Sequence, residues 1–197
     1  MKDNLSFDFK KQQNLKSVLL FDFMNNRRVS TFIDGNNLYY SLKYLGIEKI
    51  DFQKLLKLLA KNNFLISTYY YNAPLDISIN QKKYWEQQKF FNELGKIPNF
   101  NIVLCKLRKH KRKSGNYVFD VKGEDVHLVV DLVSGAYENL YDIAIIVSGD
   151  EDFVPAIKKA QKLGKRIVNA YFKSSSSASL KKTCDDFIYM NELVKEL

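Results

Sequence analysis

Residues 143–147 (IAIIV) form an unbroken apolar run, and the next five, Ser148-Gly149-Asp150-Glu151-Asp152, contain three acids. A run this apolar is buried on both faces, as strands of parallel sheets are. Its C-terminal tip then delivers carboxylates into the crevice where open α/β sheets bind their ligands. Three acids at one tip repel one another, so the fold alone gives little reason to gather them there. A bound divalent cation supplies one.

The elements on either side of this run alternate. Residues 29–33 read as a first strand ending at Asp34-Gly35-Asn36-Asn37. Leu38, Leu42 and Leu45 follow at helical spacing, and Gly46 closes that helix. Asp51 is placed to cap a second helix over 52–61, and 64–71 is a second strand stopped by Asn72-Ala73-Pro74. Residues 78–96 read as a third helix with Tyr84, Trp85, Gln88, Phe91 and Leu94 on its buried side. A third strand is expected over 100–107, and a fourth helix from 124 to about 139 with acids in its first turn. Then come a fourth strand (141–147), a helix (153–163) closed by Gly164, a fifth strand (166–171), a polar loop (174–177), a short helix (180–184) and a last strand (187–190). Strands alternating with helices predict an α/β fold, a three-layer α/β/α sandwich around a mainly parallel sheet. Residues 1–28 read as an N-terminal extension, with Leu15, Val18, Leu19 and Phe23 on a short amphipathic helix, and 29–197 as the domain.

Composition narrows the function. The chain is 46% hydrophobic over 197 residues, enough to bury the core of one domain. Its formal charge of +9 suits an acidic partner such as nucleic acid. The patch Val18-Leu19-Leu20-Phe21 is too short to span a membrane and lacks the small-residue cleavage site of an export signal. Cys105 and Cys184 are far apart with no CxxC spacing, so they read as free thiols of a cytoplasmic protein.

Three junctions carry acids: Asp34 after the first strand, Glu124 and Asp125 at the start of the fourth helix, and Asp150 with Asp152 after the fourth strand. The first and fourth strands can be neighbours across a topological switch point, which makes their tips converge. A carboxylate cluster without matching His or Cys suits Mg²⁺ or Mn²⁺ rather than zinc. Two such ions about 4 Å apart clamp a phosphodiester and activate water for in-line attack. On the fourth helix Glu124, His127 and Asp131 share one face, with Asp125 turned away by about 100°. Asp125, nearest the helix start, is the ligand candidate, Asp131 a candidate for a supporting or phosphate site, and His127 a solvated helix residue. Ser148, beside Asp150, is a further supporting candidate. Each acid also has a plainer reading: Asp34 as the cap of a turn, Asp150 and Asp152 as caps of the following helix. Their recurrence at three junctions argues for the metal site.

Between Lys106 and Lys113 six of eight residues are basic, followed by Ser114-Gly115-Asn116 and the apolar run Tyr117-Val118-Phe119. This reads as a hairpin whose Arg108, Lys109, Lys111, Arg112 and Lys113 hold the phosphates of a polymer passing the site. A solvated charged hairpin is the bland alternative. Tyr117 and Phe119 would serve equally as base-stacking rings or as core.

Residues 29–37 (VSTFIDGNN), 122–131 (KGEDVHLVVD), 141–153 (YDIAIIVSGDEDF) and the tail 179–193 together resemble the LabA-like branch of the NYN domains, in the PIN-like nuclease superfamily. The resemblance implies a PIN-like sandwich and an Mg²⁺- or Mn²⁺-dependent ribonuclease acting on RNA, single-stranded or structured. It implies that Asp34, Asp125, Asp150 and Asp152 bind metal, with Asn37, Lys122 and Asp131 matching the other polar positions of the motifs. Glu124 stands where such domains usually carry an apolar residue, which adds charge to the site.

Other classes fit less well. A haloacid-dehalogenase-type phosphatase needs an acid two residues after its nucleophile, where this chain has Asn36. Dinucleotide and P-loop sites need GxGxxG or GKS/GKT after a strand, and neither occurs. A non-catalytic RNA-binding or regulatory protein of the same fold would not need the acids. The expectation is therefore a metal-dependent endoribonuclease with no membrane attachment; the sequence also admits a homodimer.

Overall fold

The computed structural model describes residues 26–111 and 117–197, with the side chains of 107–122 outside the description. The amphipathic helix expected near residues 15–23, and Arg112 and Lys113, lie outside the described residues.

Six strands form one parallel sheet in the order β3-β2-β1-β6-β7-β8: β1 (Arg28–Asp34), β2 (Phe64–Asn72), β3 (Phe100–Leu104), β6 (Ile143–Val147), β7 (Arg166–Tyr171) and β8 (Asp186–Tyr189). β4 (Lys106–Lys111) and β5 (Tyr117–Lys122) make a separate antiparallel hairpin. The sheet grows outward in two directions from β1 and β6, so the switch point expected from the sequence falls between these two strands.

Alternation along the strands divides the core in two. Ile143, Ile145 and Val147 face one way, against α1 (Gly35–Tyr44), α2 (Phe52–Ala60), α3 (Gln81–Leu94) and α7 (Met190–Leu193). Ala144 and Ile146 face the other, against α4 (Glu124–Tyr137), α5 (Val154–Lys162) and α6 (Ala178–Thr183). Burial on both faces is why β6 is apolar throughout, and it makes the expected three-layer sandwich.

Helix ends follow the sequence signals. Asp51 caps α2 by accepting the Lys54 amide at 3.0 Å, and Gly46 and Gly164 take positive φ just past α1 and α5. At the N-terminal edge of the sheet Arg28 forms a bidentate pair with Asp142, at 2.7 and 3.2 Å, joining β1 to the start of β6. Cys105 and Cys184 are free thiols. Among the described residues no helix is long and apolar enough to cross a membrane.

Two expectations are corrected. The third strand does not run through to Leu107: it stops at Leu104, and Cys105 donates its amide to Asn72 before the chain leaves the sheet as β4. The apolar run continues across the break because Cys105 is buried at the turn, so periodicity could not reveal it. Trp85 does not belong to the buried side of α3. It is 58% exposed, and Phe90, Phe91 and Leu94 pack on the core instead.

This layering makes Ile146, fully buried under α4 and α5, costly to truncate. Ile146→Ala is expected to lower the unfolding free energy by about 2–5 kcal/mol in guanidinium titrations. Val126→Ala on the exposed side of α4 should change it by no more than about 0.5 kcal/mol.

Candidate functional site

The cleft at the switch point is built by the ends of β1 and β6 and the starts of α1 and α4. Asp34 is the last residue of β1 and is only 7% exposed. Its Oδ1 accepts the Asn37 amide at 2.9 Å and so caps α1, while Oδ2 accepts the Ser148 hydroxyl at 2.8 Å from across the switch point. The Ser148 oxygen in turn accepts the Asp150 amide at 3.1 Å, and Asp150 Oδ1 accepts the Asp152 amide at 2.9 Å. Asp34 and Asp150 thus cap the turns that follow them, as the plainer reading has it, while also lining the cleft, whereas Asp152 falls within the turn that Asp150 caps.

Asn169 on β7 donates to the carbonyls of Ile146 and Ser148, at 3.2 and 2.8 Å, holding the tip of β6 past the end of its ladder. Two glycines leave no room for a side chain. A Cβ on Gly35 would stand 2.5 Å from the Tyr71 carbonyl oxygen, and one on Gly149 only 1.4 Å from that of Ser175. Gly123, at φ +96°, turns the chain into α4 and places Glu124 and Asp125 at its first turn.

The cleft has a volume of about 480 Å³ and is lined by Asp34, Glu124, Asp125 and Asp150 together with Asn36, Asn37, Tyr40, Ser41, Tyr44, Ser174 and Ser175. Of the residues expected from sequence, it therefore gathers Asp34, Asn37, Asp125 and Asp150, with Ser148 buried directly behind Asp34. Asp152 is exposed outside the lining, close enough to Asp125 to raise its pKa. Asp131 lies further along α4 and accepts the Tyr71 hydroxyl at 3.0 Å. His127 and Glu151 are exposed, and Glu151 accepts the Ser177 hydroxyl at 3.2 Å. Arg108, Lys109 and Lys111 fall on β4, Tyr117, Phe119 and Lys122 on β5.

Sequence reasoning kept Glu124 out of the ligand set, yet it lines the cleft. Asn36 donates to both of its oxygens, at 2.8 and 3.0 Å. Tyr40, Ser41, Tyr44, Ser174 and Ser175 were also missed, although the spacing of 37, 40, 41 and 44 on one helix face was available as a signal.

The acids disfavour one another's charge. Burial pushes the Asp34 carboxyl above its ordinary value, against the hydrogen bonds from Asn37 and Ser148, and Asp150 adds to the rise. Asp125 is raised by burial and then by Asp34, Asp150 and Asp152. Glu124 is pushed up to about 7, first by burial and then by Asp34 and Asp125, with the Asn36 bond opposing. All donors are oxygens, the set preferred by Mg²⁺ and Mn²⁺. Among the described residues, however, no three His, Cys, Asp or Glu side chains stand close enough to hold one ion together.

The fold and the cleft define an α/β protein with an acidic, oxygen-donor crevice at the switch point of a parallel sheet. The chain belongs to the NYN domain family, whose model matches residues 28–191, and so falls in the PIN-like nuclease superfamily. It is similar to the low amplitude and bright protein LabA of Synechococcus elongatus, with 24% identity over 84% of this chain and 85% of that one. The crystal structure of a Vibrio parahaemolyticus protein of unknown function has the same fold. Its TM-score is 0.64 at 20% identity, over 84% of this chain and 94% of that one.

The raised Glu124 pKa fixes a pH dependence. The folded chain holds a proton on Glu124 that the unfolded chain has released, so this group favours folding below pH 4.5 and the benefit disappears as pH rises through about 7. In EDTA, Glu124→Gln should flatten the fall in stability between pH 4.5 and 7, as read from denaturant midpoints. An identical slope in both proteins would contradict the assignment.

Proposed function

We propose that this chain is a metal-dependent endoribonuclease in which Asp34, Asp125, Asp150 and Asp152 hold one or two Mg²⁺ or Mn²⁺ ions. One observation carries the reading. Carboxylates from three separate stretches of sequence converge on a single cleft at the switch point of a NYN-family fold. When bound, a divalent cation would neutralise the scissile phosphate and supply activated water for in-line attack.

The chain's own residues hold the site open for that chemistry. Asp34 is fixed by two hydrogen bonds and cannot swing away. Asn36 aims the Glu124 carboxylate into the cleft, an acid we add to the ligand candidates. Asn37, Ser41, Ser174 and Ser175 form a neutral polar wall able to hydrogen-bond a substrate. Asp131, through Tyr71, supports the β2 side of Asp34, and Lys122 is a phosphate-binding candidate next to the α4 start. For the RNA backbone the candidates are Arg108, Lys109 and Lys111 on β4, with Arg112 and Lys113 next in the sequence.

A second reading, an RNA-binding regulator without catalysis, is favoured by the lack of a preassembled three-ligand group among the described residues. Labelled single-stranded and structured RNAs, incubated with Mn²⁺, distinguish the two. Cleavage is expected in Mn²⁺, none in EDTA, and a loss of at least about 100-fold in Asp34→Asn and Asp150→Asn. Cleavage that survives EDTA or both substitutions removes the mechanism. Binding of RNA with no cleavage of RNA or DNA supports the regulator.

Replacing Lys109, Lys111, Arg112 and Lys113 with alanine should weaken RNA binding and flatten its salt dependence. The slope of log K against log salt is expected to drop by about 0.7 for each phosphate that the variant leaves unneutralised. An unchanged slope makes the hairpin a bystander.

A further inference from the structure

On α1, Asn37, Tyr40, Ser41 and Tyr44 occupy i, i+3, i+4 and i+7 and all line the acidic cleft. That spacing ordinarily marks the face a helix buries in a core. Here the helix packs on the sheet through Leu38, Leu42 and Leu45, and the second face is turned to the cleft. Tyr40 is 65% exposed and Tyr44 77%, while Tyr70, Tyr71 and Tyr141 are buried. Neither Tyr40 nor Tyr44 packs in either core cluster, so stability does not account for them. Tyr39 and Tyr40 form an edge-to-face pair at 5.2 Å and 73°, which restrains the plane of Tyr40 while most of its side chain stays open to a ligand.

Asp34 caps α1, so Tyr40 and Tyr44 lie about 9 and 15 Å along the helix axis from Asp34. That is the reach of nucleotides flanking a phosphate seated at the carboxylates. Between and opposite the rings stand Asn37, Ser41, Ser174 and Ser175, with Ser175 donating to Asn37 at 3.0 Å. Flat rings set among neutral hydrogen-bonding groups are what an unstacked nucleobase is recognised by. A base inside a duplex has both faces covered by its neighbours and cannot use them.

We infer that the Tyr40–Tyr44 face of α1 is a base-stacking subsite that takes unpaired nucleobases beside the acidic cleft and so selects single-stranded RNA. The inference rests on the proposed function only in taking RNA as the ligand of the cleft, not in requiring cleavage.

The test is fluorescence anisotropy with a labelled ten-nucleotide RNA, alone or in a blunt duplex, in Ca²⁺ as the oxygen-bound cation. Tyr40→Ala and Tyr44→Ala should each weaken single-strand binding about tenfold and the double variant about a hundredfold. Duplex binding should not change, and Tyr40→Phe/Tyr44→Phe should bind the single strand as wild type does, since stacking needs the ring and not the hydroxyl. Undiminished single-strand binding by the alanine variants overturns the inference. So does an equal loss on the duplex, or a phenylalanine variant as weak as the alanine one. Cleavage in Mn²⁺, measured separately, decides the nuclease reading. Ring-dependent binding without cleavage overturns catalysis and leaves the subsite, and cleavage with ring-independent binding does the reverse.

Discussion

Asp34 Oδ2 accepts the Ser148 hydroxyl from the neighbouring β6 tip, and Oδ1 accepts the Asn37 amide in the first turn of α1. One nearly buried carboxylate thus ties together the two halves of a sheet that grows outward in both directions from this point. It also sets where α1 starts, and through α1 where Asn37, Tyr40 and Tyr44 stand. The next link, from Ser148 to the Asp150 amide, aims the loop after β6. Burial makes the Asp34 charge expensive, and the two donated hydrogen bonds offset part of that cost.

The two ends of the sheet treat charge in opposite ways. At the N-terminal edge Asp142 is held below its ordinary pKa by the hydrogen bonds and charge of Arg28, a pair with a structural purpose. At the C-terminal edge Asp34, Glu124 and Asp125 are all raised, by burial and by one another. A fold that pairs its carboxylates at one edge and crowds them at the other concentrates unrelieved repulsion where ligands bind in such sheets. The chain as a whole carries a formal charge of +9, so the crowded acids of the cleft stand out against a basic composition that suits a polyanion.

Much of this was legible in the sequence because the signals are local. The doubly buried β6, the caps Asp34 and Asp51, the closing glycines Gly46 and Gly164 and the strand–helix alternation follow from neighbours a few residues apart. The convergence of Asp34, Asp125 and Asp150 could be expected once β1 and β6 were set side by side. What failed depended on contacts between distant parts of the chain. Trp85 has the right helical spacing but no layer above it, so an amphipathic count misplaced it. The end of β3 is set by the Cys105 amide pairing with Asn72 rather than by any change in hydrophobicity. Glu124 was assigned to the stripe of His127 and Asp131, and only the Asn36 side chain, from another helix, turns it into the cleft. Ser174 and Ser175 gave no more than a polar loop, since their place at the cleft comes from packing against α1 and Gly149.

That last contact has a bearing on how such a cleft can diversify. The missing Cβ of Gly149 makes room chiefly for the backbone carbonyl of Ser175, and backbone is common to every residue type. Residue 175 can therefore change its side chain while its backbone keeps the same seat on the β6 tip. Floor and lip are separable parts. The acids below belong to an arrangement that a single added methyl at Gly149 would disturb, whereas the groups above them that meet a ligand are open to substitution one at a time. A cleft constructed this way can acquire a new preference without rebuilding its chemistry.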